Sequence, residues 1–344
     1  MARHLVTGGA GFIGSHLAET LVARGDEVIV LDDLSGGVST RVPDAAELIV
    51  GSITDAGTVA DVFKSYQFDG IFHLAAFAAE GISHAVKRLN YMSNMVGTVN
   101  LVNEALTHGV RFFGYASSVA VYGSGQTPMR ETDVPTPADS YGNAKLAVER
   151  ELEITMRMQG LPFFALRMHN VYGEWQNMRD PYRNAVAIFL NQIMRNEPIS
   201  VYGDGGQVRA FTYVRDIVGT FLLAADNPEA WGRVYNVGSS TTATVLELAE
   251  TVRAAMGQPD HPIKHLPTRH EVRVAYTDSS RARQFFGDWQ DTKLVDGVAV
   301  TAAWAKEQGP AELATQVELE VPHTDASDWV EWINDRLANR TSGR

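Results

Sequence analysis

Short apolar runs alternate with longer amphipathic stretches along the first half of the chain. The runs predict strands and lie at residues 4–7, 27–31, 48–50, 70–74, 111–116 and 161–166. The stretches carry apolar residues at helical spacing and lie at residues 15–24, 58–66, 86–107 and 140–158. Parallel strands joined by helices produce this alternation, so the pattern predicts an α/β fold with a doubly wound parallel sheet. Ligands of such sheets bind at the carboxyl ends of the strands.

The first predicted strand runs directly into a glycine-rich turn. Residues 8–14, Gly-Gly-Ala-Gly-Phe-Ile-Gly, contain a Gly-x-Gly-x-x-Gly match. Gly8, Gly11 and Gly14 form the turn, and Phe12 and Ile13 begin the following helix. Glycines allow a tight turn and a close backbone approach to a pyrophosphate, and the helix N-terminus supplies free N–H groups. Because the order is strand, glycine turn and helix, the segment predicts a dinucleotide site.

A carboxylate near the second strand indicates which dinucleotide this is. Asp32 lies 18 residues after Gly14, where a carboxylate accepts hydrogen bonds from the ribose hydroxyls of NAD and repels the extra phosphate of NADP. After the strand at 70–74, Leu74, Ala75 and Ala76 present small side chains to the nicotinamide half. The predicted cofactor is NAD.

A tyrosine and a lysine form the candidate catalytic pair. Tyr141 and Lys145 are four residues apart on a predicted helix, so their side chains share one face. An ammonium group close to a phenol lowers the phenol pKa from about 10, which makes the phenolate a base for a sugar hydroxyl. Ser118 follows a strand and falls at the same edge of the sheet as the glycine turn.

Several ordered motifs resemble one known family. The segment 117–123, Ser-Ser-Val-Ala-Val-Tyr-Gly, precedes the Tyr141 and Lys145 pair, and the chain over roughly residues 3–305 resembles the extended short-chain dehydrogenase/reductases. Within them it is similar to the NAD-dependent nucleotide-sugar epimerase/dehydratase family. The resemblance implies that Tyr141 is the base, that Lys145 also binds the nicotinamide ribose, and that Ser118 bonds the reacting hydroxyl. It further implies cofactor contacts for Ile53 and for Asn94, a buried helix asparagine.

The resemblance also implies two domains and a substrate. Residues 1–172 would form the Rossmann domain, to which segments near 212–240 return, and residues 173–344 mainly a smaller α/β nucleotide-sugar domain. A C-terminal extension would contain an amphipathic helix over 325–339. The substrate-binding residues implied are Ser118, Asn170, Arg179, Arg183, Arg209, Arg269 and Glu271. Arg273 is an alternative to Arg269, because the spacing there is one residue shorter than in the family.

The two residues after Ser118 indicate which reaction of the family to expect. The family's 4,6-dehydratases carry an Asp-Glu pair directly after the serine or threonine, whereas this chain has Val119 and Ala120, which perform no acid–base chemistry. We therefore expect an isomerase, a UDP-sugar 4-epimerase that works through a 4-keto intermediate. Arg179 and Arg183 favour UDP-glucuronate slightly over UDP-glucose, since guanidinium groups bind carboxylates well. The alternatives are a net NAD-dependent oxidoreductase or dehydratase and a non-catalytic NAD-binding module.

Bulk properties exclude several other classes. The 344 residues carry a net charge of −12, which is unlike a nucleic-acid-binding surface, and the chain has no cysteine. The histidines show no paired ligand spacing, so we expect no metal site. With no signal-like start and no long apolar run, the chain is expected to be cytoplasmic and free of membranes. The helices at 86–107 and 140–158 resemble the family's dimer-forming pair, which predicts a homodimer.

Overall fold

The computed structural model describes residues 1–180, 182, 184–268, 272–313 and 317–321. The strands are β1 (Arg3–Thr7), β2 (Glu27–Asp32), β3 (Glu47–Val50), β4 (Gly70–His73), β5 (Phe112–Ser118), β6 (Phe163–Met168), β7 (Val171–Tyr172), β8 (Ile199–Tyr202), β9 (Val208–Ala210), β10 (Thr212–Tyr213), β11 (Arg233–Val237), β12 (Thr242–Thr244), β13 (Ile263–Leu266) and β14 (Val274–Ala275). The α-helices are α1 (Phe12–Arg24), α2 (Ala56–Ser65), α3 (Lys87–Tyr91), α4 (Gly97–Thr107), α5 (Ser140–Gln159), α6 (Ala185–Met194), α7 (Val214–Asp226), α8 (Val245–Met256), α9 (Ser280–Phe286) and α10 (Leu294–Gln308). These elements build one large sheet and several small ones.

In the described part of the chain, seven strands form a parallel sheet in the order β3-β2-β1-β4-β5-β6-β11. The chain starts in the middle, at β1, runs outward to β3, and then crosses to β4 and continues in the other direction. This reversal is the signature of a doubly wound sheet and leaves a crevice at the carboxyl ends of β1 and β4. The predicted α/β fold is confirmed.

Helices cover both faces of this sheet because its strands are apolar on both sides. On one face α2, α4 and α5 bury Val59, Leu101 and Leu152 against the strands. On the other face α1, α7 and α9 bury a second cluster that includes Leu17 and Phe221. Helix α7 and strand β11, which come late in the chain, therefore belong to the layers built by the first half.

The second half of the chain also forms a smaller structural unit. Helices α6, α8 and α10 pack together around a third apolar cluster. Beside them lie a three-stranded sheet in the order β12-β9-β14 and the pair β13-β8. Strand β7, which follows directly after β6, pairs with β10, which precedes α7.

The helix predicted over residues 86–107 is interrupted. It begins at Lys87, continues as a π-helical turn over Met92–Val96, and resumes as α4 at Gly97. Single π-helical turns within α-helices commonly occur at functional sites, because they redirect side chains. Here the turn contains Asn94, which is buried. Strand β5 also differs from its prediction, since it runs on through Ser117 and Ser118 instead of ending at Ala116.

The segment after α10 contacts both units. The backbone N–H and carbonyl of Ala311 bond to Asn191 of α6 at 2.9 and 3.0 Å. Further on, the carboxylate of Glu320 accepts hydrogen bonds from the backbone N–H groups of Arg88 and Leu89 at 2.8 and 2.7 Å. Glu320 thus satisfies donors in the first turn of α3, which helix N-termini leave unpaired. The predicted helix over 325–339 lies outside the described residues.

Replacing Phe221 tests the apolar layer between α7 and the sheet. Its ring is fully buried and packs edge-on against Phe72 at 6.3 Å between centroids, so Phe221→Ala should lower the free energy of unfolding by about 3–5 kcal/mol. Leu223→Ala on the same helix is the control, because Leu223 is 38% exposed and should cost about 1 kcal/mol or less. Urea unfolding followed by circular dichroism measures both, and equal losses would contradict the assigned packing.

Candidate active site

The glycine turn brings the backbone of β1 against that of β4. Gly8 has a φ of +71°, and a Cβ built on it would lie 2.6 Å from the backbone nitrogen of Ala75. A Cβ on Gly14 would lie 2.1 Å from the carbonyl oxygen of Gly8. The turn therefore requires glycine at both positions. Gly11 caps α1 without a side-chain hydrogen bond, so the first N–H groups of the helix face the crevice uncapped by a side chain.

Asp32 lies at the end of β2 and beside the glycine turn. Its carboxylate accepts hydrogen bonds from the backbone N–H groups of Ala10 at 3.0 Å and Leu34 at 2.8 Å. Burial raises the pKa of Asp32, while these two hydrogen bonds oppose the rise. The bonds fix the carboxylate next to the turn, which is the position that recognition of a ribose hydroxyl requires. The uncapped helix end, the glycines and Asp32 together fit a dinucleotide.

The other predicted cofactor residues lie around the same crevice. Leu74, Ala75 and Ala76 follow β4 and are half-buried. Ile53 is buried, and a Cβ on Gly97 would lie 2.7 Å from its side chain, so α4 approaches it closely. The amide of Asn94 bonds to both the N–H and the carbonyl of Phe77, at 2.8 and 2.9 Å. Asn94 thus holds the chain that follows β4.

Tyr141 and Lys145 lie in the first two turns of α5. Asp139 caps this helix by accepting a hydrogen bond from the N–H of Gly142 at 2.8 Å. The ammonium of Lys145 is buried, donates to the carbonyl of Ala116 at 2.8 Å, and lies 5.6 Å from the centre of the Tyr141 ring. Burial lowers the pKa of Lys145 to about 7, and the negative charge of Glu149 opposes this shift.

Ser118 ends β5 next to the start of α5. Its Oγ accepts a hydrogen bond from the N–H of Ala120 at 3.1 Å, which closes a short 3₁₀ turn over Val119–Tyr122. A Cβ on Gly142 would lie 2.4 Å from the carbonyl oxygen of Ala120, so the first turn of α5 packs directly on this turn. The structure therefore brings the elements carrying Ser118, Tyr141 and Lys145 together at the carboxyl edge of the sheet.

A buried ion pair beneath this site was not among the predicted site residues. Arg167 of β6 donates to both carboxylate oxygens of Glu149, from Nε at 2.9 Å and from Nη2 at 2.6 Å. The hydroxyl of Ser117 donates to Glu149 at 2.5 Å, and Arg167 also lies over the ring of Tyr122 at 4.6 Å. The sequence contains one signal for Glu149, which is its position four residues after Lys145 on the same helix.

Of the other described residues predicted to bind the substrate, Asn170 follows β6, Arg179 precedes α6, and Arg209 lies in β9 of the smaller unit. Asn170 adopts a φ of +36° after β6 and donates to the carbonyl of Ala210 at 3.1 Å. The guanidinium of Arg209 donates to the carbonyl oxygens of Val208 at 2.9 Å and Val272 at 2.6 Å. Arg179 is exposed in the segment before α6. Arg183, Arg269 and Glu271 lie outside the described residues.

Arg273, the alternative to Arg269, is on the surface. Its guanidinium forms an ion pair with Asp204 at 3.1 Å, and both side chains are largely exposed. Within the described ranges no group of three histidine or acidic side chains is placed to hold a metal ion. Nor does any helix there have the length and apolar character needed to cross a membrane.

The sequence of this chain is similar to those of known proteins. A family model described as the NAD-dependent epimerase/dehydratase family matches residues 4–238. A UDP-glucose 4-epimerase of Mycolicibacterium smegmatis is 34% identical over 308 residues, covering 87% of this chain and 97% of that protein.

Two solved structures have the same fold over nearly their whole length. The UDP-glucose 4-epimerase of Thermotoga maritima, with UDP-glucose, is 33% identical, has a TM-score of 0.85, and aligns over 89% of this chain and 99% of its own. The Thermus thermophilus enzyme, complexed with NAD, is 30% identical with a TM-score of 0.82, over 88% and 98%. The predicted family, cofactor and enzyme class are confirmed: the chain belongs to the NAD-dependent epimerase/dehydratase family, and it is an isomerase that uses NAD.

Proposed function

We propose that this protein is a UDP-sugar 4-epimerase. The observation that carries the proposal is the arrangement at the end of β5, where Ser118 and the Tyr141–Lys145 pair meet beside the glycine turn. Both solved relatives described above, and the relative from Mycolicibacterium smegmatis, are named as UDP-glucose 4-epimerases. The family membership and the local geometry therefore support the same reaction.

Each residue has a defined task in this proposal. Gly8, Gly11 and the N-terminus of α1 hold the pyrophosphate of NAD, and Asp32 accepts hydrogen bonds from its ribose. NAD held there would supply reversible hydride transfer at carbon 4, and inversion would require the 4-keto sugar to turn over so that the hydride returns to its opposite face. Lys145, through its positive charge, stabilises the phenolate form of Tyr141, and this phenolate takes the proton of the 4-hydroxyl and later returns it to the 4-oxygen. Ser118 bonds the same hydroxyl and orients it.

The residues after Ser118 support epimerisation over elimination. Val119 and Ala120 form the short turn that Ser118 closes, and neither carries an acid or a base. Loss of water from the sugar needs a group that protonates the departing hydroxyl, which these two positions do not supply. We propose that Asn170 and Arg209 bind the diphosphate, since both lie at the junction between β6 and the smaller unit and Asn170 bonds the residue after Arg209.

Removing the phenolic hydroxyl of Tyr141 tests the assignment of the base. Tyr141→Phe should lower the epimerase kcat by about 10²–10⁴-fold, because positioned proton transfer contributes this much, while bound NAD remains. Separation of the epimers by chromatography measures turnover, and the NAD released on denaturation measures the bound cofactor. Tyr66→Phe is the control, because Tyr66 is a half-buried tyrosine whose hydroxyl donates to Glu47 at the amino end of β3, away from the sheet's carboxyl edge. Near-normal turnover of Tyr141→Phe would refute the role, and stoichiometric NADH formation by the wild type would instead indicate a net oxidoreductase.

Two observations favour different sugars as the substrate. Arg179 and Arg183 led us to predict a slight preference for a hexuronate, whereas the named relatives are UDP-glucose 4-epimerases. Arg179 is exposed, and its backbone N–H bonds Asn177 at 3.0 Å within a turn. We propose UDP-glucose and UDP-galactose as the principal substrates, with UDP-glucuronate as the second candidate.

A direct comparison of the two sugars decides between these substrates. UDP-glucose should be epimerised with a higher kcat/KM than UDP-glucuronate, and Arg179→Ala should change UDP-glucose turnover less than about threefold, as expected for an exposed side chain that contacts no neutral sugar. Arg195→Ala, at another partly exposed arginine of the same unit, is the matched control. Faster turnover of UDP-glucuronate, lost on Arg179→Ala but not on Arg195→Ala, would uphold the hexuronate prediction.

We also propose that the protein forms a homodimer. Exposed apolar side chains follow one stripe of the α3–α4 region and a second stripe of α5. The residues are Leu89, Met92, Val96, Ile154 and Met158. Their spacing of three or four residues places each set on one helix face, as at a helix-bundle interface.

A charge placed in this stripe should separate the subunits. The wild type should have twice the 37.6 kDa mass of one chain by light scattering, and the double variant Met92→Asp, Met158→Asp should have the mass of one chain, because a symmetric contact would bury two new charges from each subunit. Val295→Asp, at an exposed apolar residue of α10, is the control and should remain dimeric. A monomeric wild type would contradict the proposal.

A further inference from the structure

Glu149 and Lys145 lie on the same buried face of α5. Glu149 follows Lys145 by four residues, which is about one helical turn, and the side chains are only 1% and 3% exposed. Lys145 donates to the carbonyl of Ala116, and the neighbouring Ser117 donates to Glu149. The end of β5 therefore bonds both charged groups of the helix through adjacent residues.

The groups that face the Lys145 ammonium differ in charge. His73 of β4 is neutral near pH 7, because burial lowers its pKa to about 3. Tyr115 of β5, whose ring centre is 4.8 Å from the ammonium, is also neutral, because burial raises its pKa well above 10. Tyr141 shares α5 with Lys145. Among the described residues, Glu149 is the one carboxylate whose charge favours the protonated form of Lys145.

Arg167 of β6 forms a two-bond ion pair with Glu149. Burial disfavours a charged Arg167, but the hydrogen bonds and charge of Glu149 raise the pKa of the guanidinium above its usual range. Two parallel N–H···O bonds of this kind also fix the orientation of the carboxylate. On its other side Arg167 faces Tyr122, and burial raises the pKa of that phenol to about 12. A third charged group, Glu131, lies within range of the Arg167 charge.

We propose that Glu149, held by Arg167 and Ser117, is a positioning residue that keeps Lys145 protonated beneath Tyr141. This inference rests on the proposed function, in which the positive charge of Lys145 activates the phenol. Lys145 has lost the water that would solvate its charge, and a hydrogen bond to one carbonyl replaces only part of it. A fixed carboxylate one turn away supplies the missing stabilisation without contacting substrate or cofactor.

A purely structural role would have a different signature. An ion pair between α5 and β6 that only ties the helix to the sheet would affect the unfolding temperature and leave the titration of Lys145 unchanged. The proposed electrostatic role changes the titration of Lys145 in a protein that is still folded. The protonation of this single side chain is therefore the decisive measurement.

The chain has six lysines, so their signals can be followed by NMR after labelling lysine with ¹³C at Cε. The double variant Glu149→Gln, Arg167→Gln removes both charges of the ion pair, so neither charge is left buried without its partner. The variant Lys145→Met identifies which NMR signal belongs to Lys145. The titration midpoint of Lys145 should fall by about one pH unit or more in the double variant, as expected for loss of a unit charge one helical turn away. Glu153→Gln, on the exposed face of α5, removes the same charge and should leave the midpoint unchanged.

The pH dependence of epimerisation supplies the second readout. Activity requires protonated Lys145, so its alkaline loss should begin at lower pH in the double variant and at an unchanged pH in Glu153→Gln. If the double variant does not fold, Glu149→Gln alone is measured, with the same expected direction. A folded variant with an unchanged Lys145 midpoint would overturn the proposal. If the wild type shows no epimerase activity, the proposed function fails, while the NMR comparison still decides whether Glu149 controls Lys145.

Discussion

The burial of the Lys145 ammonium is the constraint on which the geometry of this site depends. A buried amine is disfavoured in its charged form unless neighbouring groups replace the lost water. The structure supplies the carbonyl of Ala116, the faces of two aromatic rings and the carboxylate of Glu149. All of these come from β5 or α5. The helix must therefore cross the end of this strand closely, and Gly142 permits the approach.

This close crossing also fixes the position of the Ser118 hydroxyl relative to helix α5. Ser118 closes the turn on which α5 packs, so its hydroxyl and the ring of Tyr141 are fixed by the same contact that buries Lys145. The glycine turn after β1 lies at the same edge, because the strands are parallel and their carboxyl ends coincide. The proximity of the glycine turn to Tyr141, on which the proposed function depends, is thus a property of the sheet topology.

The sequence predicted the elements that depend on local signals. The glycine turn and the start of α5 are each encoded by consecutive residues, and the structure has them close to where they were expected. The π-helical turn around Asn94 was missed, because helical periodicity alone does not distinguish 92–96 from the turns on either side. The pairing of Glu149 with Arg167 was missed for another reason: it joins α5 to β6, and only the folded chain shows which arginine meets which acid.

The Glu149–Arg167 pair is difficult to explain by stability alone. Well-packed apolar residues often stabilise a folded protein as much as a buried ion pair does, because the cost of desolvating two charges offsets much of their attraction. What an apolar pair cannot provide is a fixed negative charge one turn from Lys145. The bonds from Arg167 and Ser117 hold that charge in one orientation, and β5 positions both Ser117 and the carbonyl that binds Lys145. The ion pair is therefore best understood as part of the support of the buried Lys145 side chain, and the strand that carries Ser118 also aligns that support.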